Sequence, residues 1–180
     1  APDDPGRGGC EHPAVRMSGI DLSFVSGKEK FNYRVCAVII SEGKLLAMHD
    51  ERSPYYYLPG GRVQMGETAE AAVVREVQEE LEITPEIIRP LWLNQAFFTE
   101  DVDGLHYHEL CLYFLMDISH TDLLSKGEKF TLLERHHTHK FEWLPFERLE
   151  REYFYPLFLK KEIFHLPEAL QLFPFQGLSP

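Results

Sequence analysis

Hydrophobic and polar positions along the chain fall into two kinds of pattern, one typical of β-strands and one typical of a helix. The segment FNYRVCAVII (31–40) is rich in β-branched and aromatic residues, SEGK supplies turn residues, and LLAMHD (45–50) resumes the apolar pattern. IIRPLWLNQAFF (87–98) and LHYHELCLYFLMDI (105–118) are arranged in the same way around the acidic turn TEDVDG. These four segments predict two β-hairpins.

Shorter patterns predict the remaining elements. SPYYYLPGG (53–61) predicts a short aromatic strand, and KFEWLP (140–145) predicts another strand followed by a short helix in FERLEREY. PLFLKKEIFHLPEAL (156–170) predicts a C-terminal helix over the core, broken near Pro167, with a lid or a homodimer contact as its alternative roles. Because strands and helices mix without a regular βαβ rhythm, an α+β or layered α/β/α fold is expected.

One longer helix is predicted over TAEAAVVREVQEELE (68–82), which contains neither glycine nor proline. Thr68 is suited to cap its N-terminus, and Pro85 ends it within a few residues. At about 100° per residue, one face collects the apolar side chains that a core requires, namely Ala69, Val73, Val77 and Leu81.

Four glutamates crowd the second half of this helix. Glu80 falls within the apolar face, Glu76 and Glu79 lie beside it, and Glu82 points to the far side. Charged carboxylates three and four residues apart destabilise a helix, and burial adds a cost of desolvation. Arg75 alone cannot neutralise three of them. The helix by itself is therefore equally compatible with a divalent-metal site and with a partly exposed acidic face.

Composition excludes several classes of function. The chain has 180 residues, 44% of them hydrophobic, and a formal net charge of −11, so it has the content of a folded domain but little basic surface for nucleic acid or anionic membranes. Its three cysteines form no CxxC pair, which favours reduced thiols in a cytoplasmic protein. No apolar run is long enough to span a membrane. Residues 1–16 predict a flexible extension rich in Gly and Pro, before a single domain over residues 17–180.

Residues upstream of the acidic cluster favour the metal site. Six positions stand in the spacing G-x5-E-x7-R-E-V-x-E-E, namely Gly61, Glu67, Arg75, Glu76, Glu79 and Glu80. This pattern resembles the signature of the Nudix hydrolases, which cleave a nucleoside diphosphate linked to another group. YYYLPGG and FEWLPFERL are similar to the family's flanking elements, so the resemblance covers about residues 31 to 150. It implies a Nudix-type α/β/α sandwich with a mixed β-sheet.

The resemblance also implies roles for the matching residues. Glu79 and Glu80 correspond to the main metal ligands, and Glu76 to a third ligand or a group that orients water. Arg75 corresponds to an arginine that positions a glutamate by a salt bridge. Glu67 corresponds to an acid that supports the signature, and the Gly60–Gly61 pair to a tight loop near the metal or phosphate. The implied cofactor is Mg²⁺, with Mn²⁺ as a substitute.

One position departs from the family pattern. The family has glycine where this chain has Glu82, and glycine would suit a left-handed helix end. Without it, we expect the helix to run on into ITP or to end in another geometry.

The general base and the substrate contacts are the least constrained roles. Glu134 is the candidate base, with a solvated loop residue as its alternative, and Glu109 is a second candidate. Arg62 is a candidate phosphate contact, and Tyr57 and Phe98 are candidates for stacking on a nucleobase, with core packing as the alternative. The segment RHHTHK contains His136, His137 and His139. These histidines are compatible with a zinc site or with a loop that senses pH or contacts phosphate. The simplest interpretation is that they are surface residues without a function.

The resulting hypothesis is a Mg²⁺-dependent hydrolase of a small nucleotide substrate, such as a nucleoside triphosphate, ADP-ribose, a dinucleotide or a nucleotide sugar. The alternative is a Nudix-fold sensor domain that binds such a ligand without cleaving it. A binding-only relative is expected to have lost one of the acids Glu76, Glu79 and Glu80. All three are present, which favours the enzyme.

Overall fold

Helices cover both faces of a mixed β-sheet in this chain. A computed structural model describes residues 19–51, 53–100, 103–134 and 136–173. The strands are β1 (Ser23–Ser26), β2 (Glu29–Ser41), β3 (Lys44–His49), β4 (Gly60–Arg62), β5 (Glu86–Thr99), β6 (His106–Asp117), β7 (Lys129–Glu134), β8 (His137–Pro145) and β9 (Gln171–Phe173). The helices are α1 (Ala69–Leu81), α2 (Phe146–Leu149) and α3 (Leu159–Glu162), with a 3₁₀ turn at Leu123–Lys126.

The sheet has the strand order β7-β8-β3-β2-β6-β5-β9, and β1 and β4 both pair with β2. Its parallel pairs are β2 with β6 and β5 with β9, and its other pairs are antiparallel. The parallel pair β2–β6 runs from Glu29 opposite His106 to Ile39 opposite Met116. This pairing brings the two predicted hairpins side by side in the middle of the sheet.

Alternation along β2 divides the core into two layers. Val35, Ala37 and Ile39 pack with the buried face of α1, while Cys36 and Val38 pack with residues of α2 and α3 on the other side. Successive strand residues point to opposite faces, so both faces of a central strand need a cover. The predicted α/β/α sandwich with a mixed sheet is therefore confirmed.

Both predicted hairpins and the long helix are present. β2 and β3 pair through Ile40 and Leu45, and β5 and β6 pair along almost their whole length. In α1 the hydroxyl of Thr68 accepts a hydrogen bond from the backbone N–H of Ala71, as expected of an N-cap. The predicted face of the helix is buried.

The end of α1 differs from both expectations. The helix neither runs on into ITP nor ends in another geometry, because Glu82 itself adopts the left-handed conformation, with φ 58° and ψ 29°. Its backbone N–H donates to the carbonyl oxygen of Gln78 at 3.1 Å. Glu82 thus takes the backbone shape that suits glycine, at a conformational cost of roughly 1–2 kcal/mol.

Two other element predictions are wrong in part. The aromatic segment at 53–57 is not a strand: Tyr56 and Tyr57 make only isolated bridges, and β4 starts at Gly60. Prolines at 54 and 59 lack the N–H that a ladder requires. The C-terminal helix is a single turn, α3, followed by β9, which pairs with β5 at Trp92–Asn94. Pro167 prevents continuation of the helix, and the open edge of β5 supplies backbone partners instead.

The sequence patterns missed β1 and β7. β7 lies in a stretch for which no element was predicted, although KFTLLE has the two-residue period of a strand. No helix among the described residues is both long and apolar enough to cross a membrane. The predicted N-terminal extension, residues 1–16, lies outside the described residues.

Candidate metal and active site

The double glycine starts β4, and the segment 60–68, which we call the glycine loop, lies against both β2 and α1. Gly60 has φ +150°, and a Cβ there would collide with the carbonyl oxygen of Val35 and lie 2.9 Å from the Cα of Cys36. The N–H of Gly60 donates to Oε2 of Glu80 at 2.9 Å. Glycine is therefore required here, because the backbone itself is the partner of the helix carboxylate.

Gly61 approaches a different carboxylate of the same helix. A Cβ at Gly61 would collide with the carboxylate of Glu76, although its backbone is not in the left-handed region. Both glycines thus belong to β4 and not to the predicted tight loop, and their backbone lies against two of the predicted ligands, Glu76 and Glu80.

Arg75 is the hub of the ion-pair network around this loop. Its Nε and Nη2 donate to the two carboxylate oxygens of Glu67 at 2.8 and 3.0 Å. Nη1 donates to Glu76 at 2.6 Å, and Nη2 also donates to the carbonyl oxygen of Arg62 at 3.0 Å. Arg75 therefore fastens the loop to the helix and orients Glu76, consistent with the role that the resemblance implies.

Glu67 supports this network from a fully buried position. Its side chain has no exposed surface, and it accepts hydrogen bonds from Arg75 and from the backbone N–H of Gln64 at 2.9 Å. Burial alone would raise the pKa of Glu67. The hydrogen bonds outweigh that effect and leave the pKa below its ordinary value.

Glu76 and Glu80 have the opposite electrostatics. Glu80 is 6% exposed, and burial first, then the charges of Glu76 and Glu134, raise its pKa well above the ordinary value. Burial also raises the pKa of Glu76, with Glu79 and Glu134 adding to the effect and Arg75 opposing it. Burial and the neighbouring acids thus make the charged forms of Glu76 and Glu80 unfavourable unless a cation is present.

Glu79 is the most exposed member of the three. Its side chain is 34% exposed, against 15% for Glu76, and its Oε1 lies 3.5 Å from Nη1 of Arg75. Glu76 and Glu80 thus lie against the double glycine, whereas Glu79, predicted on the same inward side, is an exposed residue beside Arg75.

The carboxylate oxygens of these three glutamates are not gathered as tightly as a metal shell. Within the part of the chain described, the group whose ligand atoms all lie within 4.8 Å is Glu86, Asp117 and His120, at the other end of the β5–β6 hairpin. Arg75 donates a hydrogen bond to Glu76, and the N–H of Gly60 donates one to Glu80. Excess buried carboxylate charge and a loop closed by glycines nevertheless fit a hard divalent cation.

Glu134 lies on β7, the edge strand at one end of the sheet. It ends β7, and its charge contributes to the raised pKa values of both Glu76 and Glu80. The candidate base is therefore near enough for its charge to act on both carboxylates, and its role as a base stays a prediction. Its Oε2 lies 3.0 Å from Nε2 of His139, a contact that sequence patterns did not predict.

The three histidines of RHHTHK do not share one environment. His136 and His137 are exposed, whereas His139 is 6% exposed and pairs with Glu134. The plain-surface interpretation is thus wrong for His139. The two-residue alternation from Phe141, which packs in the core, was the signal that pointed His139 inward.

The candidate substrate contacts have mixed environments. The side chain of Arg62 lies 3.3 Å from Oδ2 of Asp21. Tyr57 is half-buried and packs against the α1 side of the core, whereas Phe98 stacks on Tyr107 with ring centroids 5.0 Å apart. Their roles towards a substrate remain predictions.

Glu109 contacts two polar side chains, Arg34 and Asn32, that sequence patterns did not identify as its partners. Nη1 of Arg34 lies 4.0 Å from its Oε2, and Nδ2 of the buried Asn32 donates to the same oxygen at 3.4 Å. The charge of Arg34 also acts on Glu80, whose pKa it lowers against the larger raising effects. The parallel pairing of β2 and β6 creates this group, since it places Asn32 opposite Glu109.

Comparison with known proteins identifies one matching protein family and two relatives of similar sequence. The model of the NUDIX domain family matches residues 30–163. The ADP-ribose pyrophosphatase of Methanocaldococcus jannaschii is 30% identical over 110 residues, which are 59% of this chain and 52% of the relative. The 8-oxo-dGTP diphosphatase of Escherichia coli is 68% identical over 28 residues, 16% of this chain and 22% of the relative. The matches therefore span only about half of the first relative's length and about a fifth of the second's.

Solved structures support the same fold. The MutT protein from Bacillus halodurans superimposes with a TM-score of 0.56 at 16% identity, over 78% of this chain and 86% of that one. A UDP-X diphosphatase superimposes with a TM-score of 0.53 at 14% identity, over 78% of this chain and 66% of that one. At such identities the likeness concerns the fold alone.

Proposed function

Because the chain belongs to the NUDIX domain family, we propose that it is a Mg²⁺-dependent hydrolase that cleaves the pyrophosphate bond of a nucleoside diphosphate derivative. The observation that carries this proposal is the placement of Glu76 and Glu80 against the double glycine, where burial and neighbouring acids, Glu134 among them, raise their pKa values. Such a cluster is unfavourable by itself. It becomes favourable when a cation and a substrate phosphate share the site.

The residues that would hold the metal are Glu76, Glu79 and Glu80. Hard carboxylate oxygens suit Mg²⁺, which usually keeps several waters and shares substrate phosphates, and Mn²⁺ accepts the same ligands. A bound metal would neutralise phosphate oxygens and would lower the pKa of water from about 15.7 towards about 7. The net charge of −11 is then no obstacle to an anionic substrate, because the phosphates meet the cation first.

The protein's own residues would divide the remaining tasks. Water attacks one phosphorus, its proton passes to the carboxylate of Glu134, and the bridging P–O bond breaks to leave two phosphate products. Arg75 and Glu67 hold the glycine loop against α1 throughout, since their hydrogen bonds join both elements. Arg34, Asn32 and Glu109 supply polar groups beside Phe98 and Tyr107 for the rest of the substrate.

Two relatives suggest which substrates to test first. The archaeal relative is named an ADP-ribose pyrophosphatase, and the bacterial one an 8-oxo-dGTP diphosphatase. ADP-ribose and an oxidised deoxynucleoside triphosphate are therefore the first candidates, followed by dinucleoside polyphosphates, dinucleotide cofactors and nucleotide sugars.

A cytoplasmic location fits the cysteines. The sulfur atoms of Cys36 and Cys111 lie 3.5 Å apart and are not bonded to each other. Reduced buried thiols of this kind are typical of a reducing compartment.

The test is a product screen of these substrates with Mg²⁺, in which Glu79→Gln is compared with wild type and with Glu82→Gln. We expect Glu79→Gln to lower kcat by about 100-fold or more, because it removes a charged ligand. Glu82→Gln makes the same chemical change on the far side of the helix and is expected to keep wild-type turnover. Wild-type turnover in Glu79→Gln would disprove the metal assignment. Tight binding of a nucleotide without turnover would favour the sensor alternative.

A further inference from the structure

Glu134 needs a restraint if it is to act as a base beside two other carboxylates. Glu134 stands near enough to Glu76 and Glu80 for its charge to act on both, and its carboxylate must face them to serve as the base. Its side chain is 23% exposed and stands at the last residue of β7, where the strand turns towards β8. An unrestrained side chain there would rotate towards solvent, away from the cluster.

His139 supplies a contact that opposes this rotation. Its Nε2 lies 3.0 Å from Oε2 of Glu134. In the β7–β8 register His139 stands opposite Leu132, and its diagonal neighbour Glu134 projects from the same face. His137 is the residue directly opposite Glu134, yet it is exposed. The buried histidine, and not the nearer one in register, therefore makes the contact.

The ring of His139 is itself held in place. It is 6% exposed, and its centroid lies 6.4 Å from that of Phe141, a fully packed core residue. A buried ring on a central part of the β7–β8 pair has little freedom to move. A hydrogen bond from such a ring fixes its partner more firmly than one from a surface side chain would.

The other nitrogen of the ring indicates which tautomer is present. Nδ1 of His139 is buried and has no hydrogen-bond partner among the described residues. Since a carboxylate only accepts hydrogen bonds, the hydrogen of this contact is carried by Nε2. Among the described residues, the ring of His139 thus donates one hydrogen bond, from Nε2 to the carboxylate of Glu134.

From these contacts we propose that His139 is the positioning residue of the general base: its Nε2–H holds the carboxylate of Glu134 over the acid cluster. This inference rests on the proposed function, because it concerns the base of that reaction.

The test compares two replacements of His139 with a matched control. His139→Phe keeps a buried ring but cannot donate, and we expect it to lower kcat about 10- to 100-fold with KM nearly unchanged, because the base is misplaced. His139→Gln keeps an N–H donor at a similar reach and is expected to restore most of that loss. His137→Phe makes the same change at the exposed histidine of the hairpin and should keep wild-type kcat.

A double variant separates positioning from packing. We expect Glu134→Gln alone to lower kcat by about 10²- to 10⁴-fold, and Glu134→Gln with His139→Phe to be no slower, since His139 then has nothing to position. A further loss in the double variant would show that His139 acts elsewhere and would overturn the inference. So would wild-type kcat in His139→Phe. Full activity of Glu134→Gln would show that Glu134 is not the base and would overturn this inference. It would not contradict the proposed hydrolysis.

One readout does not depend on activity. In ¹⁵N-labelled protein, the ring nitrogens of His139 should report the tautomer with hydrogen on Nε2, and Glu134→Gln should shift the Nε2 resonance. A wild-type chain that hydrolyses none of the nucleotides would refute the proposed function. The ¹⁵N chemical shifts of the ring would then still test the His139–Glu134 hydrogen bond. A tautomer with hydrogen on Nδ1 would show that this hydrogen bond does not form.

Discussion

Two buried carboxylates next to the glycine loop, Glu67 and Glu80, differ in the direction of their pKa shifts. Glu67 receives hydrogen bonds from Arg75 and from a backbone N–H, which more than offset its burial. Glu80 receives one backbone hydrogen bond, from Gly60, and meets the charges of Glu76 and Glu134. Glu67 therefore stabilises the fold in its charged form, whereas charged Glu80 opposes folding until a cation offsets it.

The shift of Glu67 leads to a prediction about pH. Because its pKa is lower in the folded chain than the ordinary value of 4.5, its stabilising effect is complete above that value and is lost as pH falls through the folded pKa. We expect Glu67→Gln to lower the free energy of unfolding by about 1–3 kcal/mol at pH 7. The difference from wild type should shrink below pH ~4.5. Urea titrations at pH 7 and at pH 3.5 measure it, and a difference that stayed constant would contradict the Glu67–Arg75 pair.

Sequence periodicity predicted the inward direction of Glu80 but not its partners. An angle of about 100° per residue places a side chain on a face of its own helix. This angle contains no information on partners from other elements. Gly60 belongs to β4, and Glu134 and His139 belong to β7 and β8. Long-range contacts of this kind depend on strand order, which one sequence does not encode locally.

At the level of elements, α1 was predictable at its start and unpredictable at its end. Thr68 caps the helix as its sequence context suggests, because the capping bond is local. The end depends on Glu82 adopting φ 58°, a backbone shape disfavoured for a residue with a Cβ. Similarly, β9 and the single turn of α3 depend on the open edge of β5, which sequence patterns do not reveal.

The helix end offers a test of conformational strain. We expect Glu82→Gly to raise the free energy of unfolding by about 0.5–1 kcal/mol, because glycine adopts the left-handed conformation without a steric cost. Glu82→Ala removes the same carboxylate but keeps a Cβ, so it should give no such gain. Thermal and urea unfolding of the three proteins measure this, with turnover expected to stay at the wild-type level. Equal stability of the glycine and alanine variants would show that the strain of the left-handed cap is no larger than the extra folding entropy that glycine loses.

At the level of the whole molecule, the site depends on the mixed sheet and on two separate cores. β2 is the strand that β1, β3, β4 and β6 all contact, so the glycine loop, Arg34 and the β6 residue Glu109 are fixed by one element. Glu134 joins them only because β7 and β8 extend the sheet beyond β3. The family resemblance predicted this architecture, whereas the hydrophobic pattern alone left α+β and α/β/α arrangements open.

The net charge of −11 should affect how an anionic substrate approaches. Repulsion between the protein and a nucleotide is screened as the Debye length falls from about 30 Å at 0.01 M salt to about 8 Å at 0.15 M. We therefore expect kcat/KM to rise about two- to fivefold over this range at constant free Mg²⁺. Steady-state kinetics in KCl and in potassium acetate separate screening from ion-specific effects. A fall of kcat/KM with salt would indicate attraction by local basic residues.

The central claim is that the carboxylates of α1 bring a divalent cation to a pyrophosphate bond. The most direct measurement is ³¹P NMR of a reaction with ADP-ribose or another substrate found in the screen, with Mg²⁺ and then with EDTA, for wild type and Glu80→Gln. We predict phosphomonoester products from wild type with Mg²⁺, none after EDTA, and recovery when Mg²⁺ is restored. Glu80→Gln should form them at least about 100-fold more slowly. Cleavage that continued in EDTA, or at the wild-type rate in Glu80→Gln, would contradict the claim.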